Sequence, residues 1–238
     1  MSHIDRTPVD TGLAAVQWQR YVDTVQKYGW QPVVVPPLDD SPDGVFIEDT
    51  MVVFRDLAVI GRSGAAIRRA EIATAAATVA AQGYRISSIA APGTLDGGDV
   101  LKVNDTVYVG SGGRTNQAGI EQLASQLEPL GAKVVSVPVS KVLHLKSAVT
   151  ALPDGTVIGY PTLIDDPDVF PRFLEVPEDP GAHVVLLGED RILLAASAPR
   201  TAELLAGMGY EPVVVDVSEF EKMEGSVTCL SVRLRADA

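Results

Sequence analysis

Hydrophobic and polar positions along the chain predict a regular order of short helices and strands. From Val9 to Tyr28, apolar residues recur at helical spacing among polar ones, which predicts an amphipathic helix. The apolar run QPVVVPP follows and is closed by prolines, a pattern typical of a buried strand. The chain therefore opens with one helix and one strand.

In the rest of the chain, the hydrophobic and polar pattern predicts four copies of one module, in the order strand, strand, helix and strand. The predicted helices are Ala66 to Gln82, Gln117 to Leu127, a short one near Val169 to Leu174, and Pro199 to Met208. The predicted strands are FIEDTMVVF, LAVIGR, RISSIAAP, GGDVLKVN, TVYVGS, KVVSVPV, LKSAVTAL, GTVIGYP, HVVLLG, RILLAAS and EPVVVD, with HVVLLG closing the third copy. Repetition at about 40 to 50 residues is typical of propellers and solenoids.

Polar residues head the first strands of these modules at a constant spacing. Asp96 lies 48 positions after Glu48, and His144 lies 48 positions after Asp96. Because equivalent positions of repeated modules face one axis, we expect these side chains to lie together. The closing segment VTCLSVRL is expected to pair with the opening helix and strand as a fifth module. That pairing would bring Cys229 to the same axis.

Composition and charge fit a single globular domain. The chain has 238 residues, 46% of them hydrophobic, so we expect one domain over residues 1–238. A net charge of −12 disfavours nucleic acid as a partner. No apolar run reaches the roughly 18 residues of a membrane helix, and the opening MSHIDRTPVD lacks the order of a signal peptide. We therefore expect a cytoplasmic protein with no membrane partner.

The axis residues combine a nucleophile, a proton donor and carboxylates. Cys229 is the only cysteine, which excludes a disulfide within the chain and a zinc site of the usual spacing. An isolated cysteine is more often a small buried hydrophobe, and its repeat position is what favours a catalytic thiolate. His144 offers a proton donor and acceptor, while Glu48, Asp49 and Asp96 suit a cationic group. Such a set would hydrolyse a guanidinium without a metal or an organic cofactor.

Arginines recur at matched positions of the first two modules. Arg68 and Arg69 begin the helix after LAVIGR, and Arg114 lies in GSGGRTN one module later. A solvated helix face is the alternative for each, and it is strongest for Arg69. One arginine from each module would clamp a carboxylate. An amino acid that carries both a guanidinium and a carboxylate fits this arrangement.

Six ordered motifs between about Pro42 and Leu234 carry a family resemblance: PDGVFIEDT, RSGAAIRRAE, TLDGGDVL, GGRTNQ, LHLKSAV and SEFEKMEGSVTCLSVRL. With them the chain resembles the dimethylarginine dimethylaminohydrolases of the guanidine-modifying pentein superfamily. The resemblance implies an α/β fold, a five-module β/α propeller. The chain departs from the family in one respect, because family members usually begin with a further strand and the chain-opening module here is one strand short. The resemblance also implies hydrolysis of Nω-methylated arginine to citrulline and a methylamine through a thiouronium on the cysteine.

The resemblance assigns roles residue by residue. Cys229 resembles the nucleophile, His144 the proton donor, and Asp96 the acid that orients the histidine. Asp99 is expected to be structural. The implied substrate contacts are Glu48 and Asp49 for the guanidinium, Phe46 as a pocket wall, Asp43 and the backbone of Met223 for the amino group, and Arg68 and Arg114 for the carboxylate.

Alternatives stay open within and outside this family. An arginine deiminase or amidinotransferase resembles the chain in propeller, cysteine and histidine, but carries an aspartate at the position of Lys146. A non-catalytic pentein, similar to translation initiation factor six, would need neither Cys229 nor His144. The dimethylaminohydrolase interpretation is therefore preferred. Because the short module leaves a strand edge unpaired, we also expect a homodimer.

Overall fold

The structure is a computed structural model that describes residues 7–234. The chain folds into two compact units. The first unit combines Met1–Val33 with Lys141–Thr228, and the second unit combines Val34–Ser140 with Cys229–Ala238. Among the described residues, no helix is long and apolar enough to cross a membrane.

The regular elements of the described chain are helices and short strands. The α-helices are α1 (Thr11–Lys27), α2 (Ile72–Ala81), α3 (Gln117–Leu127), α4 (Pro199–Gly207) and α5 (Ser218–Glu221). The strands are β1 (Met51–Phe54), β2 (Leu57–Ile60), β3 (Arg85–Ser88), β4 (Val100–Val103), β5 (Thr106–Ser111), β6 (Lys133–Pro138), β7 (Val149–Ala151), β8 (Val157–Gly159), β9 (Phe173–Glu175), β10 (Val184–Gly188), β11 (Arg191–Ala195) and β12 (Glu211–Val215).

Each of the four sheets that these strands form has the same topology. The first two strands are antiparallel, and the third runs parallel to the second, in the orders β1-β2-β3, β4-β5-β6, β7-β8-β9 and β10-β11-β12. A parallel pair needs a crossover connection, which α2, α3 and α4 supply in three of the sheets. The α/β class is therefore confirmed, and the predicted order of strand, strand, helix and strand is found in three of the four sheets.

The third module differs from its prediction. The predicted helix near Val169 to Leu174 is wrong, because β9 occupies the end of that segment and a 3-10 turn its start. Pro161 and Pro167 start 3-10 turns in this crossover. Phe170 is extended and precedes Pro171, and the residue before a proline disfavours the helical conformation, which explains why no longer helix forms. The predicted last strand HVVLLG is instead β10, the first strand of the fourth sheet, where it pairs antiparallel with β11.

The fifth module is not formed as a hydrogen-bonded sheet in the described chain. Neither QPVVVPP nor VTCLSVRL is assigned as a strand. Pro32, Pro36 and Pro37 lack the N–H donors that a sheet ladder requires, which explains the first of these results. The five-module propeller stays a prediction.

The β1–β2 hairpin is the centre of the second unit, and both of its faces are buried. On one face, Val52 and Val59 pack in a cluster with Leu123 of α3. On the other face, Val53 and Ile60 pack with residues of α2 and with the closing segment. Burial on both faces fixes the hairpin firmly, so the residues that lead into β1 rest on a rigid base.

The first unit has a separate core around β10, β11 and α4, with Ile192, Leu194 and Leu205 fully buried. Helix α1 joins this unit through Gln17, which is fully buried. The Gln17 amide donates to Ser218 Oγ at 2.8 Å and accepts the N–H of Glu219 at 3.0 Å. The opening helix is therefore fixed to the start of α5.

Candidate active site

The two units divide the predicted site residues between them. The second unit contains Asp43, Phe46, Glu48, Asp49, Arg68, Asp96, Arg114 and Cys229, and the first unit contains His144 and Met223. We describe each group within its own unit.

The nucleophile candidate is bound to the segment that leads into β1. The N–H of Glu48 donates to the carbonyl oxygen of Cys229 at 3.2 Å. Arg233, four residues after the cysteine, places Nη2 at 3.7 Å from Glu48 Oε1. Glu48 is buried and Cys229 is partly exposed. The second unit thus binds the backbone of a partly exposed cysteine to a segment that carries a buried carboxylate.

Arg68 is the centre of a buried polar network. Its Nη1 donates to Asp49 Oδ2. Its Nε donates to both carboxylate oxygens of Glu71 at 3.1 Å, and its Nη2 donates to Glu71 Oε2 at 2.7 Å. The carbonyl oxygens of Asp43 and Phe46 accept from Nη2 at 3.1 and 3.2 Å. All three guanidinium nitrogens of this predicted carboxylate clamp therefore have acceptors inside the protein.

Burial and charge act in opposite directions on this network. Burial disfavours the charged guanidinium, but the carboxylates of Asp49 and Glu71 outweigh it and raise the pKa of Arg68. Burial raises the pKa of Glu71, although the hydrogen bond from Arg68 opposes that shift. The arginine therefore stays charged and holds three of the predicted substrate contacts, Asp43, Phe46 and Asp49.

Asp96 precedes the first strand of the second module, as Asp49 does in the first module, and it is fully buried. Its carboxylate accepts from Gly64 N at 3.3 Å and from Arg114 Nη1 at 3.2 Å. Its own N–H donates to Thr115 Oγ1 at 3.2 Å, and that hydroxyl donates to Asp99 Oδ2 at 2.6 Å. These bonds fix Asp96 in position, and the contact of Asp99 agrees with its expected structural role.

The segments that head the two modules lie in close contact. Asp49 Oδ1 accepts the N–H of Gly98 at 3.0 Å. A Cβ at Gly97 would lie 2.0 Å from the carbonyl oxygen of Glu48, so only glycine fits there. The GGD turn after Asp96 therefore aligns the carboxylates of both modules.

The first unit holds its candidates at the ends of short helical turns. His144 is buried, and its carbonyl oxygen accepts the N–H of Ser147 at 3.0 Å at the start of a 3-10 turn. Met223 follows α5 and donates its N–H to the carbonyl oxygen of Phe220 at 2.9 Å. Lys222, its neighbour, pairs with Glu219 at 2.8 Å. The N–H of Met223 is thus bonded within its own turn.

Two network residues were missed from the sequence. Glu71 lies three positions after Arg68, a helical ion-pair spacing that could have indicated it. Thr115 follows Arg114 directly, but nothing in the sequence shows that its hydroxyl bridges Asp96 and Asp99.

Comparison with known proteins decides the family. The arginine deiminase family model matches residues 27–185. The N(G),N(G)-dimethylarginine dimethylaminohydrolase of Streptomyces coelicolor is 63% identical over 235 residues, which are 99% of this chain and 91% of that protein. The chain belongs to the dimethylarginine dimethylaminohydrolase family.

Two solved structures of dimethylarginine dimethylaminohydrolase match this chain with a TM-score of 0.91 at 31% identity. Each match covers 98% of this chain and 93% of the other. One is a cysteine-to-serine variant from Pseudomonas aeruginosa complexed with citrulline, and the other is a histidine-to-glycine variant in an adduct with S-methyl-L-thiocitrulline. The similarity confirms the α/β, pentein-type fold.

Proposed function

We propose that this protein hydrolyses Nω-methylated L-arginine to L-citrulline and a methylamine. The observation that carries the proposal is Cys229 bound through its carbonyl oxygen to Glu48, in the unit that also buries Asp49 and Asp96. A cysteine in the same unit as several buried carboxylates suits a cationic electrophile, since the bound cation favours the thiolate. The relative that is 63% identical is named for this reaction.

The proposed reaction has two steps. Cys229 Sγ attacks the guanidinium carbon, His144 gives a proton to the methylated nitrogen, and the carbon–nitrogen bond breaks to release the amine. The product of this step is a thiouronium on Cys229. His144 then takes a proton from water, which attacks the same carbon. The carbon–sulfur bond breaks, which regenerates the Cys229 thiolate, and loss of the second water proton to solvent gives citrulline. Neither step of the proposed reaction needs a metal or an organic cofactor.

The other candidates bind and orient the substrate. Asp96, which Arg114 and Gly64 fix in position, is proposed to orient the imidazole. The remaining proposed roles are the guanidinium contacts Glu48 and Asp49, the pocket wall Phe46, the amino-group contacts Asp43 and the Met223 backbone, and the carboxylate contact Arg114. Arg68, expected from the resemblance as a second carboxylate contact, is proposed to hold Asp49 instead, because all three of its guanidinium nitrogens have acceptors inside the protein. A homodimer and a cytoplasmic location stay predictions.

Substrate choice separates this function from an arginine deiminase, the alternative that the family model keeps open. An unmethylated guanidinium presents five N–H donors, and methylation of one terminal nitrogen removes a donor and adds volume. The arginine deiminases that the chain resembles carry an aspartate, a hydrogen-bond acceptor, at the position of Lys146. Lysine cannot accept a hydrogen bond. The site should therefore prefer methylated over free arginine.

Side-by-side steady-state kinetics with four substrates test this proposal. We expect kcat/KM to be higher for monomethylarginine and asymmetric dimethylarginine than for arginine, with little turnover of the symmetric isomer, whose second methyl group would crowd the carboxylates. The assay measures citrulline and the released amine together. A preference for free arginine of about tenfold, or about 1.4 kcal/mol of transition-state binding, would assign the protein as a deiminase instead.

A further inference from the structure

We propose that Glu71 is a positioning residue of this site, which acts through Arg68 to orient Asp49 and to add negative charge for a cationic substrate. The proposal rests on the proposed function, because it assumes that Asp49 binds a guanidinium. Glu71 itself is 4% exposed. All of the residues involved lie in the second unit.

The hydrogen bonds of Glu71 determine how Arg68 is oriented. Both carboxylate oxygens accept from Nε, and Oε2 also accepts from Nη2, so the guanidinium is fixed from its Nε side. This orientation leaves Nη1 for Asp49 and directs Nη2 to the carbonyl oxygens of Asp43 and Phe46. Without Glu71, the arginine side chain could rotate away from these three acceptors.

The orientation of the Asp49 carboxylate depends on that of the Arg68 guanidinium. Its Oδ1 accepts from Gly98 N at 3.0 Å, and its Oδ2 accepts from Arg68 Nη1. These two hydrogen bonds fix the plane of the Asp49 carboxylate. A change at Glu71 would reach Asp49 through one shared guanidinium.

Charge gives Glu71 a second effect that a purely structural residue would lack. Arg68 carries one positive charge and pairs with two buried carboxylates, those of Asp49 and Glu71. The three groups together retain one negative charge. Neutralising Glu71 would cancel it, and Coulomb interactions over several ångströms at an effective dielectric constant near 20 are large enough to change cation binding by about tenfold. A neutral ligand would not sense this loss.

The test compares a cationic ligand with a neutral one of similar shape. Asymmetric dimethylarginine carries a guanidinium, whereas citrulline carries an uncharged ureido group on the same amino acid skeleton. Isothermal titration in a Cys229→Ser background prevents turnover. We expect Glu71→Gln to raise the Kd of dimethylarginine about tenfold, and that of citrulline less than threefold, by the charge argument.

A matched control is Glu121→Gln, which makes the same chemical change at an exposed position of α3 in the same unit. It should change neither Kd. Glu71→Asp keeps the charge with a shorter side chain and should restore most of the preference for the cation. If Glu71→Gln does not fold, Glu71→Asp alone decides, because the proposal requires it to keep the ratio of the two Kd values.

Equal weakening of both ligands by Glu71→Gln, or no change in either, would overturn the proposal. Loss of the cation preference in Glu71→Asp would overturn it as well. Failure of the proposed function looks different. In that case the Cys229→Ser protein with native Glu71 would bind neither dimethylarginine nor citrulline.

Discussion

Three of the four modules contain the same kind of ion pair, and comparing them separates the scaffold from the site. In each, an arginine near the start of the crossover helix reaches a carboxylate that precedes the first strand. The pairs are Arg68–Asp49, Arg114–Asp96 at 3.2 Å and Arg200–Glu178 at 2.8 Å. The arginine side chains are 5%, 16% and 65% exposed, respectively. Burial therefore distinguishes the pairs of the second unit from that of the first.

The carboxylates also differ in what else they bind. Glu178 accepts the N–H groups of Arg200 at 2.6 Å and Thr201 at 3.1 Å, so it caps the N-terminus of α4. Asp49 and Asp96 accept instead from loop glycines, at 3.0 and 3.3 Å. The same ion pair thus recurs in three modules. The carboxylate of the pair caps a helix in the first unit and belongs to a buried polar network in the second unit.

Removing the arginine tests this comparison with the largest expected effect. Arg68→Leu leaves two buried carboxylates without their cation, and breaking a buried pair typically costs about 3–5 kcal/mol. Arg200→Leu, the matched control at an exposed pair, should cost about 1 kcal/mol or less. Urea denaturation of both variants measures the free energy of unfolding. Equal losses would show that burial does not distinguish the two pairs.

A smaller effect concerns a strongly shifted histidine, His183 in the first unit. It is 8% exposed, its Nδ1 has no hydrogen-bond partner among the described residues, and burial lowers its pKa to about 4. The unfolded chain, with a pKa near 6.5, binds the proton first as the pH falls. Stability should therefore decrease from about pH 6.5 and reach its full loss below pH 4, by on the order of 3 kcal/mol.

The matched variant for this prediction is His183→Gln, which keeps a polar side chain but does not titrate. His183 lines a cavity of about 250 Å³ together with Asp179, Glu221 and Lys141. Burial raises the pKa values of Asp179 and Glu221, which stabilises the folded state as pH falls and so acts against the histidine. The difference between wild type and variant in urea titrations at pH 7 and pH 4 isolates His183. Parallel pH profiles would contradict the prediction.

The sequence predicts the elements whose signals are local. Helix α3 matches its predicted bounds, because Asn116 caps it and its apolar residues follow the helical period. The helix predicted in the third module is wrong because prolines interrupt the crossover. In addition, short apolar segments such as FLE are compatible with both helix and strand. The strands predicted for the fifth module are not found in the described chain. Strand pairing depends on neighbouring segments in the fold, which the sequence does not show.

The candidate site shows the same limit. The spacing of Glu48 and Asp96 predicted that carboxylates head successive modules, and the structure places both in one unit. The role of Arg68 was harder to predict, because an arginine beside a glutamate three positions later is typical of a solvated helix face. Only the burial of both side chains reveals the internal network.

The covalent adduct on Cys229 tests the central claim most directly. Turnover of asymmetric dimethylarginine should be quenched with acid within one catalytic cycle, and the intact protein and its peptides analysed by mass spectrometry. We expect a thiouronium on the Cys229 peptide, none in Cys229→Ser, and a larger amount in His144→Gly, which lacks the base that activates water. Citrulline formation without any adduct on that peptide, or full activity of Cys229→Ser, would contradict the account.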